Sequence, residues 1–158
     1  MIFLQIVKIT DYLEESLINL ELNCKNKEEA LRELSGLIGK SEKVIDKKEL
    51  YNALVEREKI GSTGIGKGVA IPHAKTEAAS ELIIAFGKNR EKVEFDSLDG
   101  EGANLFFVFA SPVKDSHIYL KVLARISRLI REEKFREKLI TCKSSQEVIE
   151  AIKEEEGL

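Results

Sequence analysis

Apolar residues recur every three or four positions in five stretches of the chain, and this spacing predicts five helices. The predicted helices cover residues 27–38, 46–59, 116–131, 134–140 and a last segment that starts after Ser144. Three of them open with a polar capping residue that is followed three positions later by glutamate: Asn26 and Glu29, Asp46 and Glu49, and Ser144 and Glu147. The side chains expected to face the core are Leu31, Leu34 and Ile38 in the first helix, Leu50, Leu54 and Val55 in the second, and Leu120, Leu123, Ser127 and Ile130 in the third.

Shorter apolar runs between the helices predict strands at residues 17–22, 82–86, 93–95 and 104–109. The run Leu105–Phe109 is apolar without alternation, which is typical of a central strand covered on both faces. Asp99-Gly100 is expected to form a tight turn between the last two strands. Helices at both ends of the chain, around a small mixed sheet, predict the α/β class: a three-layer α/β/α sandwich in a single domain, residues 1–158.

The composition of the chain argues against several classes of protein. Among 158 residues there are 25 Lys and Arg against 28 Asp and Glu, a formal net charge of −3, which argues against a nucleic-acid binder. The longest apolar runs are far shorter than the roughly 18 residues of a membrane span, so we expect no membrane insertion. Met1–Lys8 lacks the basic start and cleavage site of a signal peptide. Cys24 and Cys142, without a CxxC pattern, predict reduced thiols in a cytoplasmic protein.

A glycine-rich stretch, Gly61–Gly68, follows the second predicted helix. It matches the phosphate-binding pattern GxxxxGK[ST] except at Gly68, where a hydroxyl would hold magnesium. Such a loop normally follows a strand and opens a helix, whereas this one leads into an extended segment ending at Pro72. We therefore interpret the glycines as positions of unusual backbone angles and close packing. Nucleotide binding is the alternative, and ATP–Mg²⁺ binding that is lost in Lys67→Ala would support it.

The chain has two histidines, His73 and His117. His73 ends the apolar segment behind the glycine-rich stretch, and His117 lies in the first turn of a predicted helix. Because sites in α/β proteins gather where strands end and helices begin, both are expected to face one cleft. The alternative for each histidine taken alone is a structural or surface role.

Two histidines without a nearby cysteine or carboxylate cluster favour phosphoryl transfer. Zinc needs a third ligand, and a serine hydrolase needs a recognisable nucleophile turn, whereas Ser62 and Thr63 are more typical of turn formers. A neutral imidazole, with a pKa of about 6.5, is a good nucleophile near pH 7. Arg57 is the candidate for holding phosphoryl oxygens, because its guanidinium matches phosphate geometry; its alternative is a solvated helix charge. We expect no metal and no cofactor to be required.

Several motifs together resemble the fructose/mannitol-type EIIA domain (EIIA type 2) of the bacterial phosphoenolpyruvate-dependent sugar phosphotransferase system. The resemblance runs over about residues 10–153. Ala74 and Ile118 stand where glycine and leucine are usual, and neither change removes a functional group. The motifs are Arg57-Glu58, Ser62-Thr63-Gly64-Ile65-Gly66, Val69-Ala70-Ile71-Pro72-His73, Phe106 with Val108-Phe109, Ser111-Pro112, His117-Ile118 and Leu123-Ala124 with Ile126-Ser127.

This resemblance implies a phosphocarrier for sugar uptake. His73 would accept a phosphoryl group from phospho-HPr and pass it to a cysteine of an EIIB partner. The resemblance also implies that His117 is the second active-site histidine, that Arg57 steadies the phosphoryl group, and that Thr63 and Gly64 form the loop beside the acceptor. Docking of both partners is expected to be transient, through a modest interface with an apolar centre and a charged rim.

Two further interpretations of the same motifs stay open. The first is a nitrogen-type regulatory EIIA, which binds target proteins according to the phosphorylation state of His73. A sugar operon beside the gene would favour transport, and a neighbouring gene for an alternative sigma factor would favour regulation. The second is a domain that kept the fold and lost the chemistry. The joint presence of His73, His117 and Arg57 argues against it.

Overall fold

Helices and strands are interspersed along residues 6–157, which are the residues that the computed structural model describes. Residues 1–5, part of the Met1–Lys8 segment considered above, and residue 158 lie outside the described residues. Two short 3₁₀ turns, Ile9–Asp11 and Val113–Asp115, precede β1 and α3. The helices are α1 (Lys27–Ile38), α2 (Lys47–Ile60), α3 (Ser116–Leu129), α4 (Glu133–Thr141) and α5 (Ser145–Glu156), and the strands are β1 (Leu13–Leu22), β2 (Gly64–Gly66), β3 (Val69–Ala70), β4 (His73–Lys75), β5 (Ile83–Val93) and β6 (Ala103–Ser111).

The predicted capping residues begin three of these helices. The side chains of Asn26, Asp46 and Ser144 accept hydrogen bonds from the third backbone N–H of α1, α2 and α5, at 2.8, 3.1 and 3.1 Å. These bonds satisfy N–H groups that have no partner within the helix, which explains why the starts agree with the prediction. The ends differ by up to two residues, since α2 continues to Ile60 and α3 stops at Leu129.

The sheet is mixed and has the strand order β1-β5-β6-β3-β2, with β4 also paired to β6. Parallel pairing joins β1 to β5 and both β3 and β4 to β6, while β5–β6 and β2–β3 are antiparallel. Two short strands therefore follow each other along one edge of β6: Val69 opposes Leu105, and His73 opposes Phe109. This arrangement places His73, in β4, directly beside the central strand β6.

Two apolar clusters, one on each face of the sheet, define the layers. One contains the buried residues of α1 and α2, and the other contains those of α3, α4 and α5. Residues 105–110 of β6 are all buried, as expected for a strand covered on both faces. The prediction of an α/β/α sandwich around a mixed sheet is confirmed.

The predicted separate strand at residues 93–95 is wrong. β5 runs without interruption from Ile83 to Val93, and it carries an irregularity between Lys88 and Val93. Asn89 lies in this irregular stretch, and its buried side chain accepts from the backbone N–H of Cys24 at 2.7 Å and donates to the Cys24 carbonyl at 2.9 Å. The polar run after Gly87 looked like a break because this end of the strand is largely exposed.

The predicted core face of α3 is correct only in part, because Ile130 is buried and Leu123 packs against the core but Leu120 does not. Tyr119, Val122, Ile126 and Leu129 are buried, whereas Leu120 is 58% exposed. The helix carries apolar residues on two adjacent stripes, so periodicity alone did not select between them. No helix of residues 6–157 has the length and apolar character needed to cross a bilayer.

Candidate functional site

His73 occupies the first position of β4, where it is buried with 7% exposure. Its ring stacks on Phe109 of β6, with 5.2 Å between ring centroids and 12° between ring planes. The ring of Tyr119, from α3, lies tilted at 5.6 Å. Phe109 and Tyr119 also contact each other at 5.1 Å, so the imidazole packs in a cluster of three rings formed by β4, β6 and α3.

A backbone carbonyl distinguishes the two nitrogens of this imidazole. Nδ1 of His73 lies 2.5 Å from the carbonyl oxygen of Ile71. A carbonyl only accepts hydrogen bonds, so Nδ1 carries the proton and Nε2 carries the lone pair. Burial is the largest effect on the pKa of His73 and lowers it. The bond to Ile71 and the negative charge of Glu58 raise the pKa, whereas the positive charge of Arg57 lowers it, and the net shift is downward. The ring is therefore neutral near pH 7, as a nucleophile requires.

The glycine-rich stretch forms an antiparallel hairpin of β2 and β3 and does not lead into a helix. It lacks the helix N-terminus that a phosphate-binding loop of the GxxxxGK type uses, which argues against nucleotide binding there. Gly64 is tightly packed, because a Cβ on it would lie 2.5 Å from Ser97 Oγ and 3.1 Å from the carbonyl oxygen of Phe95. Ser62 Oγ donates to that same carbonyl at 2.6 Å. The interpretation that these glycines serve close packing is confirmed at Gly64.

Thr63 is buried and bonded twice to the carboxylate of Glu58. Its backbone N–H donates to Oε1 at 2.8 Å and its hydroxyl donates to Oε2 at 2.6 Å. Its own carbonyl accepts from the N–H of Ile71 at 2.9 Å. Thr63 thus connects α2 to the segment that carries His73.

Arg57 lies in the last turn of α2, and its Nη1 donates to the carbonyl of Gly61 at 2.9 Å. Its positive charge lowers the pKa of both His73 and Tyr119, so it acts on the two rings of the site. For Tyr119 burial is the larger effect, and it raises the pKa to about 12. Arg57 therefore acts on His73 through its charge, and Thr63 is linked to His73 through the backbone of Ile71, whereas Gly64 packs on Ser97 and Phe95.

His117 lies at the edge of this group and is not joined to it directly. It is exposed in the first turn of α3, two positions before Tyr119. Within residues 6–157 no hydrogen bond connects it to His73. No group of three or more His, Cys, Asp or Glu side chains in the described part of the chain is arranged to hold a metal ion.

Comparison with known proteins identifies the family. The family described as "Phosphoenolpyruvate-dependent sugar phosphotransferase system, EIIA 2" matches residues 11–155. The chain belongs to this EIIA family. The fructose-specific EIIABC component of Bacillus subtilis (strain 168) is 36% identical over 92% of this chain, although the chain spans only 23% of that protein. The fructose-specific EIIA component of Haloferax volcanii is 37% identical over 87% of this chain and 90% of its own length.

A solved structure agrees with the fold. The nitrogen regulatory protein IIA-Ntr of Neisseria meningitidis superposes with a TM-score of 0.85 and 32% identity, covering 91% of this chain and 98% of that one. The EIIA family thus includes relatives named for fructose and relatives named for nitrogen regulation. The resemblance stated from the motifs is confirmed at the level of the family.

In this EIIA domain, sequence reasoning missed two residues of the site, Glu58 and Tyr119. In the sequence, Glu58 stands out only as a neighbour of Arg57 in a motif, with no role assigned to it, yet it is 7% exposed. A signal was present, since Glu58 follows Leu50 and Leu54 at steps of four and therefore shares their buried face. Tyr119 carried no comparable signal, because its contact with His73 joins residues 46 positions apart.

Proposed function

We propose that this EIIA domain is a phosphocarrier whose phosphoryl acceptor is Nε2 of His73. The observation that supports it is the bond between Nδ1 and the Ile71 carbonyl, which leaves the lone pair on Nε2. In the first step, the P–N bond of phospho-HPr breaks as the bond from phosphorus to Nε2 forms. In the second step that bond breaks as phosphorus binds a cysteine thiolate of an EIIB partner. The relatives named for fructose support sugar uptake as the process, and we propose that this domain acts in the cytoplasm.

Arg57 and His117 are proposed to stabilise the phosphoryl oxygens during transfer. The guanidinium of Arg57 uses one N–H on the Gly61 carbonyl and has further donors for an anion. His117 lies at the N-terminal end of α3, where the helix dipole favours negative charge. Positioning and electrostatics of this kind supply most of the catalysis in phosphoryl transfer. Thr63 and Gly64 keep the loop beside the acceptor.

Exposed apolar side chains on both sides of the site suit transient docking of HPr and EIIB. Ile65 in the hairpin is 37% exposed, and Val113 and Leu120, on either side of His117, are 62% and 58% exposed. Lys67 and Lys114 are charged and exposed beside them. A small apolar centre with a charged rim is typical of complexes that form and dissociate readily.

The decisive experiment is phosphorylation by phosphoenolpyruvate, enzyme I and HPr, followed by intact-mass spectrometry at neutral pH. Wild type is expected to gain one acid-labile phosphate, and folded His73→Ala is expected to gain none. Subsequent addition of EIIB should remove the phosphate from the wild type. An active HPr that leaves folded wild type unphosphorylated would overturn the proposal.

A nitrogen-type regulatory role is the second candidate, and the similarity to the Neisseria protein favours it. In that case His73 would carry phosphate in the same way, and the phosphorylated and unphosphorylated forms would bind target proteins differently. Transfer to EIIB separates the two roles. A carrier passes its phosphate to a cognate EIIB within one encounter, whereas a regulator retains it.

A further inference from the structure

Glu58 is a buried carboxylate that the transfer chemistry itself does not use. Its side chain is 5% exposed, and besides Thr63 it contacts Nζ of Lys27 at 2.9 Å. Burying a carboxylate is costly unless its oxygens are paired and hydrogen-bonded. Here both oxygens are occupied, and the ammonium of Lys27 balances the charge.

A continuous series of hydrogen bonds leads from this carboxylate to the imidazole. Glu58 accepts from the N–H of Thr63 at 2.8 Å, the carbonyl of Thr63 accepts from the N–H of Ile71 at 2.9 Å, and the carbonyl of Ile71 lies 2.5 Å from Nδ1 of His73. Each bond fixes the place of the next backbone segment. The position of the imidazole therefore depends on a side chain in α2.

At the end of this series that lies farthest from His73, Glu58 is contacted by a residue of a different helix, α1. Lys27, the first residue of α1, also lies 3.2 Å from Oδ2 of Asp96 and 4.8 Å from the ring centre of Phe95. Lys27 thus approaches Glu58 from α1, while Thr63 binds it from the hairpin. The loop itself is rich in glycine, so its backbone would sample several conformations without such a restraint.

We propose that Glu58 is a positioning residue for His73, acting through Thr63 and the Ile71 carbonyl. The inference rests on the proposed function, since it concerns transfer at His73. Glu58 holds the carbonyl that keeps the proton on Nδ1 and aims Nε2 outward. Small displacements of a reacting atom reduce transfer strongly, on the order of tenfold to a hundredfold.

Two substitutions of Glu58 separate hydrogen bonding from charge. Glu58→Ala removes both bonds to Thr63. In Glu58→Gln the amide oxygen still accepts from the Thr63 N–H, and the amide nitrogen donates to its hydroxyl. We expect Glu58→Ala to slow single-turnover phosphorylation by phospho-HPr on the order of tenfold or more, at an unchanged half-saturating HPr concentration. Glu58→Gln is expected to recover most of that loss, and Glu56→Ala, an exposed neighbour paired with Lys59, to match wild type.

A spectroscopic readout distinguishes positioning from a purely structural role. The ¹⁵N shifts of His73 report which ring nitrogen carries the proton. Wild type, Glu58→Gln and Glu56→Ala should show protonated Nδ1, and Glu58→Ala a mixture of the two forms. Two variants of Thr63 replace this test if Glu58→Ala does not fold. Thr63→Val loses only the hydroxyl bond to Glu58 and is expected to slow transfer. Thr63→Ser keeps that bond and is expected to preserve the transfer rate.

The outcomes also separate this inference from the proposed function. A folded Glu58→Ala protein with wild-type rate and wild-type ¹⁵N shifts would overturn the positioning role while leaving the carrier intact. Equal transfer rates in Thr63→Val and Thr63→Ser would do the same if Glu58→Ala does not fold. Conversely, altered His73 shifts in Glu58→Ala, together with no phosphorylation of wild type, would reject the carrier and support the positioning.

Discussion

At the scale of single residues, the environment of His73 acts on two separate properties of one imidazole. Burial against Phe109 and Tyr119 lowers its pKa, and the Ile71 carbonyl determines which nitrogen is protonated. The lowered pKa keeps the ring neutral, and the bond to the Ile71 carbonyl leaves the lone pair on Nε2. Arg57 adds to the first effect through its charge.

Arg57→Met is therefore expected to change both the titration and the transfer rate of His73. Removing a positive charge makes protonation easier, so the pKa of His73 should rise toward its usual value of about 6.5. Phosphorylation by phospho-HPr should fall on the order of 10²-fold, as when one transition-state contact is lost. NMR titration and single-turnover kinetics measure the two effects. Arg32→Met, on the exposed surface of α1, is the control and should change neither.

Gly64→Ala tests the packing of the loop. A Cβ at this position would approach Ser97 Oγ to 2.5 Å and two further atoms to 3.1 Å, so the backbone must shift. We expect a loss of about 1–3 kcal/mol in the free energy of unfolding, measured by urea denaturation. Gly36→Ala is the matched control. No atom outside the helix's own backbone lies within 4 Å of its Cβ, and in the last turn of α1 alanine should stabilise by up to about 1 kcal/mol.

At the scale of elements, the sequence predicted local features better than their orientation. The starts of α1, α2 and α5 followed from capping residues because a cap acts within three positions. The buried face of α3 followed only in part, since the partner of that face is a sheet built from distant segments. The short helix α4 was predicted, but the interaction that ends it was not visible in the sequence.

The C-terminal end of α4 is capped by Lys88, a side chain from a different element of the fold. Its Nζ donates to the carbonyls of Ile140 and Cys142, at 2.7 Å each, although Lys88 belongs to β5. Lys88→Met should destabilise the protein by about 1–3 kcal/mol, because these carbonyls lose a charged donor. Urea denaturation measures the loss, and hydrogen exchange should show it concentrated in α4. Arg90→Met, an exposed position in the same strand, should have little effect.

At the scale of the whole molecule, Glu156 joins the two ends of the described chain. Its side chain is 2% exposed, accepts from the N–H of Ile9 at 2.9 Å and pairs with Nε of Arg125 at 2.5 Å. Three separate segments, the 3₁₀ turn before β1, α3 and α5, thereby meet at one carboxylate. The last residues of α5 are consequently part of the packed structure rather than a free tail.

Glu156→Ala is expected to cost on the order of 3 kcal/mol, because it leaves the largely buried Arg125 without its partner. Thermal and urea denaturation measure this loss. Glu154→Ala, which removes only the exposed pair with Lys138, is the control and should change stability by less than about 1 kcal/mol. Equal stabilities of the two variants would contradict the assignment. The proposed phosphorylation of His73 should persist in Glu156→Ala below its melting temperature.

The sequence by itself determined the helix starts, the central apolar strand, the three-layer class and the motif residues Arg57, His73 and His117. Each of these depends on spacing within a short stretch or on a pattern of residue types. Only the tertiary structure showed that Tyr119 packs on His73 and that the Glu58 carboxylate bonds to Thr63. Those contacts join β4 with α3 and α2 with the hairpin, and such pairings are decided by how whole elements bury their apolar faces together.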